Sequence, residues 1–185
     1  MGFDPYALPP DLPAPVDDGG ADHLPGSAIP AVRLESSQGP VDLADLAAGR
    51  LVLYVYPRTG TPGVDPPEGW DAYPGARGCT PQSCGFRDHI RELSSFGARV
   101  AGLSAQTLPA QVEFAERTHM PYPVIADPEL VLRATLDLPT FEIAGMTLYK
   151  RLALVAEEGS IVKTFYPVFP PDRNAEEVVA WLRQR

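Results

Sequence analysis

Six consecutive apolar residues, Leu51-Val52-Leu53-Tyr54-Val55-Tyr56, constrain the fold more than any other feature of the sequence. The run has the length of a strand and is ended by Pro57. An apolar run without polar alternation predicts a strand that is buried on both faces. Such a strand needs a packed layer on each side of its sheet, so the run favours an α/β fold with a central sheet.

The rest of the chain predicts elements that agree with this layout. Preceding the run, 31–35 and 40–43 form a predicted hairpin that leads into a brief helix through Leu46. After it, further strands are predicted at 99–104 and 123–127, helices at 109–119, 128–135 and 175–183, and a hairpin at 148–156 and 160–166. This order predicts a central mixed β-sheet flanked by helices.

The first 25 residues differ from the rest in composition. They are rich in proline, with aspartate and glycine pairs at 17–20, and they show no periodic apolar face. Such a composition predicts an extended or disordered tail. We therefore expect two parts, a tail at 1–25 and a single domain at 26–185.

The charge of the chain bears on its partners and location. Lys and Arg number 15 against 24 Asp and Glu, which gives a net charge of −9. Because no basic run is present, nucleic acid and anionic membranes are poor candidates as partners. The start of the chain lacks a positive segment followed by an apolar one, so we expect a cytoplasmic location.

Both cysteines, Cys79 and Cys84, fall at the start of a predicted helix. Thr80-Pro81 is typical of a helix start. From there one apolar stripe continues through Phe86, Ile90, Leu93 and Phe96. Cys79 would thus lie at a helix N-terminus, where the dipole and the free N–H groups favour a thiolate.

The spacing of the two cysteines has a geometric consequence. On a continuous helix, residues five apart have Cα atoms separated by about 8.6 Å. A disulfide requires about 7 Å or less. Cys79 and Cys84 could therefore bond only if the first turn unwinds, which suggests one reactive thiol and a second that resolves its oxidised form.

The segment 57–78 is a predicted long loop, rich in proline and glycine. Loops of this length in compact domains are usually functional or mobile. Two interpretations stay open: a surface insertion packed by Trp70 and Tyr73, or a segment that shapes a substrate site.

Taken together, these residues resemble the peroxiredoxins, and within them the bacterioferritin-comigratory or Q-type class. The resemblance covers roughly 22–185 and is carried by Tyr56-Pro57, Thr61-Pro62-Gly63, Cys79-Thr80, Cys84 and Phe86-Arg87-Asp88. It is interrupted, because Val64 stands where the class has its cysteine after Thr-Pro-Gly, and Cys79 follows fifteen residues later.

This resemblance implies a thioredoxin-like fold and the reduction of hydrogen peroxide and organic hydroperoxides. Cys79 would be the peroxidatic cysteine, oxidised to a sulfenic acid, and Cys84 the resolving cysteine that forms an intramolecular disulfide with it. A thioredoxin-like reductant would recycle the pair. No cofactor is implied, and the expected assembly is a monomer or weak homodimer.

The class also has an arginine that holds the thiolate and the peroxide. A gapless alignment would select Lys150, but we favour Arg151, because strand alternation separates the two and a guanidinium gives two parallel hydrogen bonds. Pro57 and Thr61 match the proline and threonine of the class. The insertion leaves Thr59 as an alternative to Thr61.

Other functions are less well supported by the sequence. Cys79, Cys84 and His89 could bind a metal, but zinc sites usually need a fourth ligand, and His23 and His119 are isolated in sequence. A disulfide reductase would be expected to carry C-x-x-C, which is missing. A redox-sensing or disulfide-exchange protein that uses the same cysteine pair remains an alternative.

Overall fold

A sheet of seven strands runs through the computed structural model, which describes residues 2–185. The strands are β1 (Arg33–Ser36), β2 (Val41–Asp42), β3 (Arg50–Val55), β4 (Ala98–Ser104), β5 (Val124–Ala126), β6 (Thr140–Ile143), β7 (Met146–Tyr149), β8 (Leu152–Glu157) and β9 (Ser160–Phe165). The large sheet has the order β2-β1-β5-β4-β3-β8-β9, and β6 pairs only with β7. Strand β3 runs parallel to β4 and antiparallel to β8, so the predicted mixed sheet is confirmed.

The two faces of β3 are buried in different cores. Leu51, Leu53 and Val55 point into one apolar cluster, and Val52 and Tyr54 point into another. The alternation follows from the two-residue period of a strand. Burial of the apolar run on both faces is therefore confirmed.

Helices cover both faces of the sheet. They are α1 (Leu43–Leu46), α2 (Cys79–Asp88), α3 (Ile90–Ser95), α4 (Leu108–Thr118), α5 (Val131–Leu136) and α6 (Asn174–Leu182), with a 3-10 helix at Pro171–Arg173. Leu43 of α1 and Leu132 of α5 belong to the first core. The second core takes in Phe86 of α2, Phe114 of α4 and Val178 of α6. The layered α/β architecture predicted from the sequence is thus present.

Three predicted elements differ from the structure. The predicted cysteine helix is divided into α2 and α3 at His89, which belongs to neither helix. The strand predicted at 148–156 is interrupted at Lys150 and Arg151, between β7 and β8. Helix α5 begins three residues later than predicted, because the Asp127 carboxylate accepts hydrogen bonds from the amides of Val131 and Leu132 and caps the helix there.

The β6–β7 hairpin was not predicted, and it supports the long loop. Phe141 and Leu148 of the hairpin form a third apolar cluster with Trp70 and Ala76. The ring of Tyr73 stacks on Phe141 with centroids 4.3 Å apart. Residues 57–78 contain no helix or strand, as predicted, and Trp70 and Tyr73 pack the loop onto the domain.

The N-terminal residues 2–25 likewise contain no helix or strand. Ala21 and Leu24 are nevertheless buried in the first core. The boundary between a tail and a domain at residue 25 stays a prediction. Among residues 2–185, no helix has the length and apolar character that crossing a bilayer requires.

Candidate active site

Cys79 is the first residue of α2, and the chain enters the helix through Gly78. Gly78 has φ of +105°, a conformation that side chains disfavour. A Cβ atom there would lie 2.3 Å from Cγ of Pro171, so only glycine fits. The tight entry places Cys79 in the interior, with 3% of its surface exposed.

Two donors and one acceptor surround the Cys79 sulfur. The amide of Arg58 donates to Sγ at 3.4 Å, and Nη2 of Arg151 donates at 3.3 Å. When protonated, the thiol can donate to the carbonyl of Ala76 at 3.6 Å. A cation and an amide are therefore directed at the same buried sulfur.

Arg151 is itself almost fully buried, with 4% exposed. Its Nη1 donates to Oε1 of Gln82 at 2.5 Å. Its Nη2 also lies 3.2, 3.0 and 3.0 Å from the carbonyl oxygens of Gly75, Ala76 and Arg77, which share its two N–H groups with Sγ. We call these three carbonyls the carbonyl cage. These contacts fix the plane of the guanidinium beside Sγ.

Lys150, the alternative to Arg151, faces the surface. Its Nζ lies 2.5 Å from the Asp18 carboxylate, and it is partly exposed. The structure therefore brings Arg151 to Cys79 and not Lys150. The side chains of Lys150 and Arg151 point in different directions, as predicted, but for another reason. The two residues lie between β7 and β8 and not on one continuous strand, so strand alternation does not separate them.

Cys84 lies five residues after Cys79 on the same helix and is half-buried against the second core. Both thiols are free and they are not at disulfide distance. Burial raises the pKa of the Cys84 thiol, with a smaller opposing effect from the charge of Arg87. The hydroxyl of Tyr122 donates to the carbonyl of Ser83 at 3.0 Å and anchors the helix next to Cys84.

Known proteins match the chain over most of its length. The Redoxin family model matches residues 24–179. A putative peroxiredoxin of Mycobacterium tuberculosis strain H37Rv is 30% identical over 149 residues, which are 78% of this chain and 85% of the relative. The chain belongs to the peroxiredoxins.

Further relatives agree with the bacterioferritin-comigratory or Q type. The putative peroxiredoxin bcp of Coxiella burnetii is 26% identical, over 85% of this chain and 97% of its own length. Chloroplastic peroxiredoxin Q of Sedum lineare is 28% identical, over 85% of this chain and 77% of its own length. Peroxiredoxins are thiol-dependent peroxidases, so the chain is an oxidoreductase.

Solved structures confirm the thioredoxin-like fold. The crystal structure of peroxidoxin BcpB from Mycobacterium tuberculosis has a TM-score of 0.70 at 24% identity, covering 88% of this chain and 98% of that chain. A structure of Xanthomonas campestris peroxiredoxin Q has a TM-score of 0.66 at 21% identity, covering 95% and 98%.

The remaining two residues expected at the peroxiredoxin site lie in the segment after β3. Pro57 is buried, and its carbonyl accepts a hydrogen bond from Ser104. Thr59 is also buried, and its hydroxyl donates to Oε1 of Gln106. Thr61 is exposed. Both threonines line a recess of about 40 Å³ that also includes Arg58, the residue whose amide contacts Cys79.

Several residues at the site were missed from the sequence. Gln82 lies three residues after Cys79 on α2, and helical spacing alone could have placed it on the same face. Its Nε2 donates to Oδ1 of Asn174, which ties α2 to the start of α6. Arg58 acts through its main-chain amide, which leaves no signature in the sequence.

Two other arginines that are close to Cys79 in sequence do not contact its sulfur. Arg77 binds Asp71 and main-chain carbonyls of the N-terminal segment. Arg87 binds Asp88 and the carbonyl of Thr118. The cation that contacts this sulfur is Arg151, from a distant part of the chain.

The histidines bear on the metal-binding alternative. Nδ1 of His89 lies 2.8 Å from the carbonyl of Gly85, in the preceding helix α2. Nε2 of His23 lies 2.9 Å from the carbonyl of Leu136. Within residues 2–185, no three His, Cys, Asp or Glu side chains are grouped so that they could hold a metal ion.

Proposed function

We propose that Cys79 is the peroxidatic cysteine and Cys84 the resolving cysteine of this peroxiredoxin. The observation that carries the proposal is the pair of donors on Cys79 Sγ, the Arg151 guanidinium and the Arg58 amide. Both donors can bind a thiolate, and they can also bind the charge that develops on a leaving oxygen.

In the first step the Cys79 thiolate attacks the terminal oxygen of a hydroperoxide. The O–O bond breaks, an S–O bond forms, and the leaving alkoxide or hydroxide takes a proton to become an alcohol or water. Cys79 is oxidised to a sulfenic acid while the peroxide is reduced. Arg151 orients the reactants, because its guanidinium is held by Gln82 and the carbonyl cage before the substrate arrives.

The recess lined by Arg58, Thr59 and Thr61 is the route that we propose for the peroxide. Its volume of about 40 Å³ suits a molecule the size of hydrogen peroxide. Thr61 would donate its hydroxyl to the peroxide there, because the Thr59 hydroxyl is already bonded to Gln106. Pro57 lies at the buried end of this segment and would shield the thiolate from water.

In the second step the Cys84 thiolate attacks the sulfenic sulfur of Cys79. A disulfide forms and the sulfenic oxygen leaves as water. A thioredoxin-like dithiol protein then reduces the disulfide by exchange and returns both thiols.

The test is the loss of hydrogen peroxide or of cumene hydroperoxide, measured with the full chain and a thioredoxin, thioredoxin reductase and NADPH system. We expect continuous turnover with the reductant and about one equivalent consumed without it. Turnover that needs no thiol reductant would contradict the proposed cycle. Mass spectrometry of the oxidised protein, with a Cys79–Cys84 disulfide expected, tests the pairing separately.

A further inference from the structure

The side chain of Arg77 is an unusual feature of the loop that leads to Cys79. It is 8% exposed, although it carries a full charge. Its Nη1 binds the Asp71 carboxylate at 2.9 Å, and its Nη2 donates to the carbonyls of Asp4 at 2.8 Å and Ala7 at 3.1 Å. The guanidinium lies 4.3 Å from the centre of the Phe3 ring. Arg77 therefore joins the loop to the N-terminal segment at residues 3–7.

The main chain of Arg77 contacts Arg151, the arginine that binds Cys79. Its carbonyl accepts a hydrogen bond from Nη2 of Arg151 at 3.0 Å. The carbonyls of Gly75 and Ala76 complete the carbonyl cage. The side chain of Arg77 is thus held by the N-terminal segment, and its main-chain carbonyl contacts the guanidinium that binds Cys79.

This arrangement matters because the cage belongs to a segment without secondary structure. Residues 57–78 have no helix or strand ladder to fix their carbonyls. The loop has a few turn hydrogen bonds of its own, such as the one from the Ala76 amide to the Tyr73 carbonyl. Side-chain anchors add to these, and Arg77 provides a planar fork that binds a carboxylate, two carbonyls and a ring. Gly78, the next residue, has φ of +105° and links Arg77 directly to Cys79.

We propose that Arg77 is a positioning residue for the peroxidase reaction, and that the N-terminal segment at residues 3–7 is part of the support of the active site. Arg77 holds the carbonyl cage, the cage orients Arg151, and Arg151 stabilises the Cys79 thiolate. The proposal rests on the proposed roles of Cys79 and Arg151. It adds a role for the loop and the N-terminal residues beyond packing.

The test is the pH dependence of the rate at which iodoacetamide alkylates Cys79. It is measured in a Cys84→Ser background, so that Cys79 is the thiol that reacts. This readout follows the thiolate and requires no peroxide turnover. We expect Arg77→Ala to shift the profile to higher pH and to slow alkylation at neutral pH by about tenfold, equivalent to about 1.4 kcal/mol. Phe3→Ala, which changes no charge and lies on the N-terminal segment, should shift the profile in the same direction by a smaller amount.

Two further variants separate positioning from other causes. Arg77→Lys keeps the charge but cannot bind two carbonyls in one plane, so it should not restore the wild-type profile. Arg117→Ala is the matched control: Arg117 also holds the N-terminal segment, through the Tyr6 hydroxyl, and its other hydrogen bonds go to Glu113 and the Gly60 carbonyl rather than to residues 75–79. Arg117→Ala should leave the pH profile of Cys79 alkylation unchanged.

Three results would overturn the proposal. They are a wild-type profile in both Arg77→Ala and Phe3→Ala, full rescue by lysine, and an equal shift in Arg117→Ala. The first excludes a role for the anchor, the second shows that charge alone acts, and the third shows that any loosening of the segment suffices. Failure of Cys79 to react with peroxide in the wild-type chain would instead contradict the proposed function. The alkylation assay uses no peroxide, so its result does not depend on that outcome.

Discussion

Cys79 and Cys84 occupy the first and sixth positions of one unbroken helix, α2, and both are free thiols. They are not at disulfide distance. The geometry predicted from C-x4-C therefore holds for the reduced chain: the pair shares a helix that must open before the sulfurs can meet. In the proposed cycle, oxidation of Cys79 and formation of the disulfide are separate steps, and variants can separate them.

The first prediction concerns the two cysteines. Cys79→Ser should abolish peroxide reduction, because the only thiol beside Arg151 is lost. Cys84→Ser should consume about one equivalent of peroxide and then stall as a sulfenic acid, since only the resolving step is lost. Stopped-flow peroxide consumption and trapping of the sulfenic acid with dimedone measure both outcomes. Sustained thioredoxin-dependent turnover in Cys79→Ser would contradict the assignment.

The second prediction concerns the neighbours Arg151 and Lys150. Arg151→Ala removes the guanidinium that donates to Sγ and leaves Gln82 and three carbonyls without their donor, so Cys79 oxidation should slow by about 100-fold or more. Lys150→Ala removes only an exposed ion pair with Asp18 and should change the rate less than twofold. The second-order rate constant with hydrogen peroxide is the measurement. A larger loss in the lysine variant would show that Arg151 is not the stabilising cation.

Much of the fold could be predicted because local patterns and tertiary structure agree. The apolar run of β3, the helix start at Thr80-Pro81 and the hairpin of β8 and β9 each have a strong local signal. The β6–β7 hairpin was missed because its strands are short and stabilised by Trp70 and Tyr73 of the loop rather than by the large sheet. Its existence depends on a contact between segments that the sequence does not reveal.

The site could be predicted in part for a similar reason. Cys79 and Cys84 were selected from side-chain chemistry and spacing, and Arg151 from the resemblance to the class; in the structure Arg151 contacts the Cys79 sulfur. The Arg58 amide and the carbonyl cage at Gly75–Arg77 were not predicted, because main-chain groups are present at every residue and only the fold selects some of them. The anchoring of Arg77 by Phe3 was missed because the composition of the N-terminal segment indicates only that it lacks regular structure.

The third prediction concerns pH and the resolving step. Burial raises the pKa of Cys84, so at neutral pH its thiol is protonated and a poor nucleophile. The thiolate fraction grows as pH rises toward the raised pKa, and disulfide formation should accelerate by about tenfold per pH unit between pH 6.5 and 8. A single-turnover experiment that follows intrinsic fluorescence after one equivalent of peroxide measures this phase. The phase should be missing in Cys84→Ser, and a rate independent of pH would contradict the prediction.

The fourth prediction concerns Gly85 and the opening of α2. To join Cys79, Cys84 must leave the helix, and Gly85 then becomes the residue at the new helix start. Glycine is tolerated at that position far better than alanine, whereas alanine is better by about 1 kcal/mol in the interior of a helix. A Cβ at residue 85 would lie 3.4 Å from the carbonyl of Asp172 and 3.5 Å from Cβ of Ala175, so alanine fits in the reduced state. Gly85→Ala should therefore slow disulfide formation by about fivefold or more.

The first oxidation of Cys79 is the internal control for Gly85→Ala, and its rate should stay within about twofold of the wild-type rate, because residue 85 lies a full turn beyond the site. Amide hydrogen exchange gives an independent measure of the same opening. Exchange at residues 79–85 should be faster in the oxidised chain than in the reduced one, while β3 and β4 keep their protection, since opening a helix end costs far less than unfolding the core. Equal exchange in the two states would show that the disulfide closes without loss of the first turn, and that the separation of the two thiols along α2 does not control the resolving step.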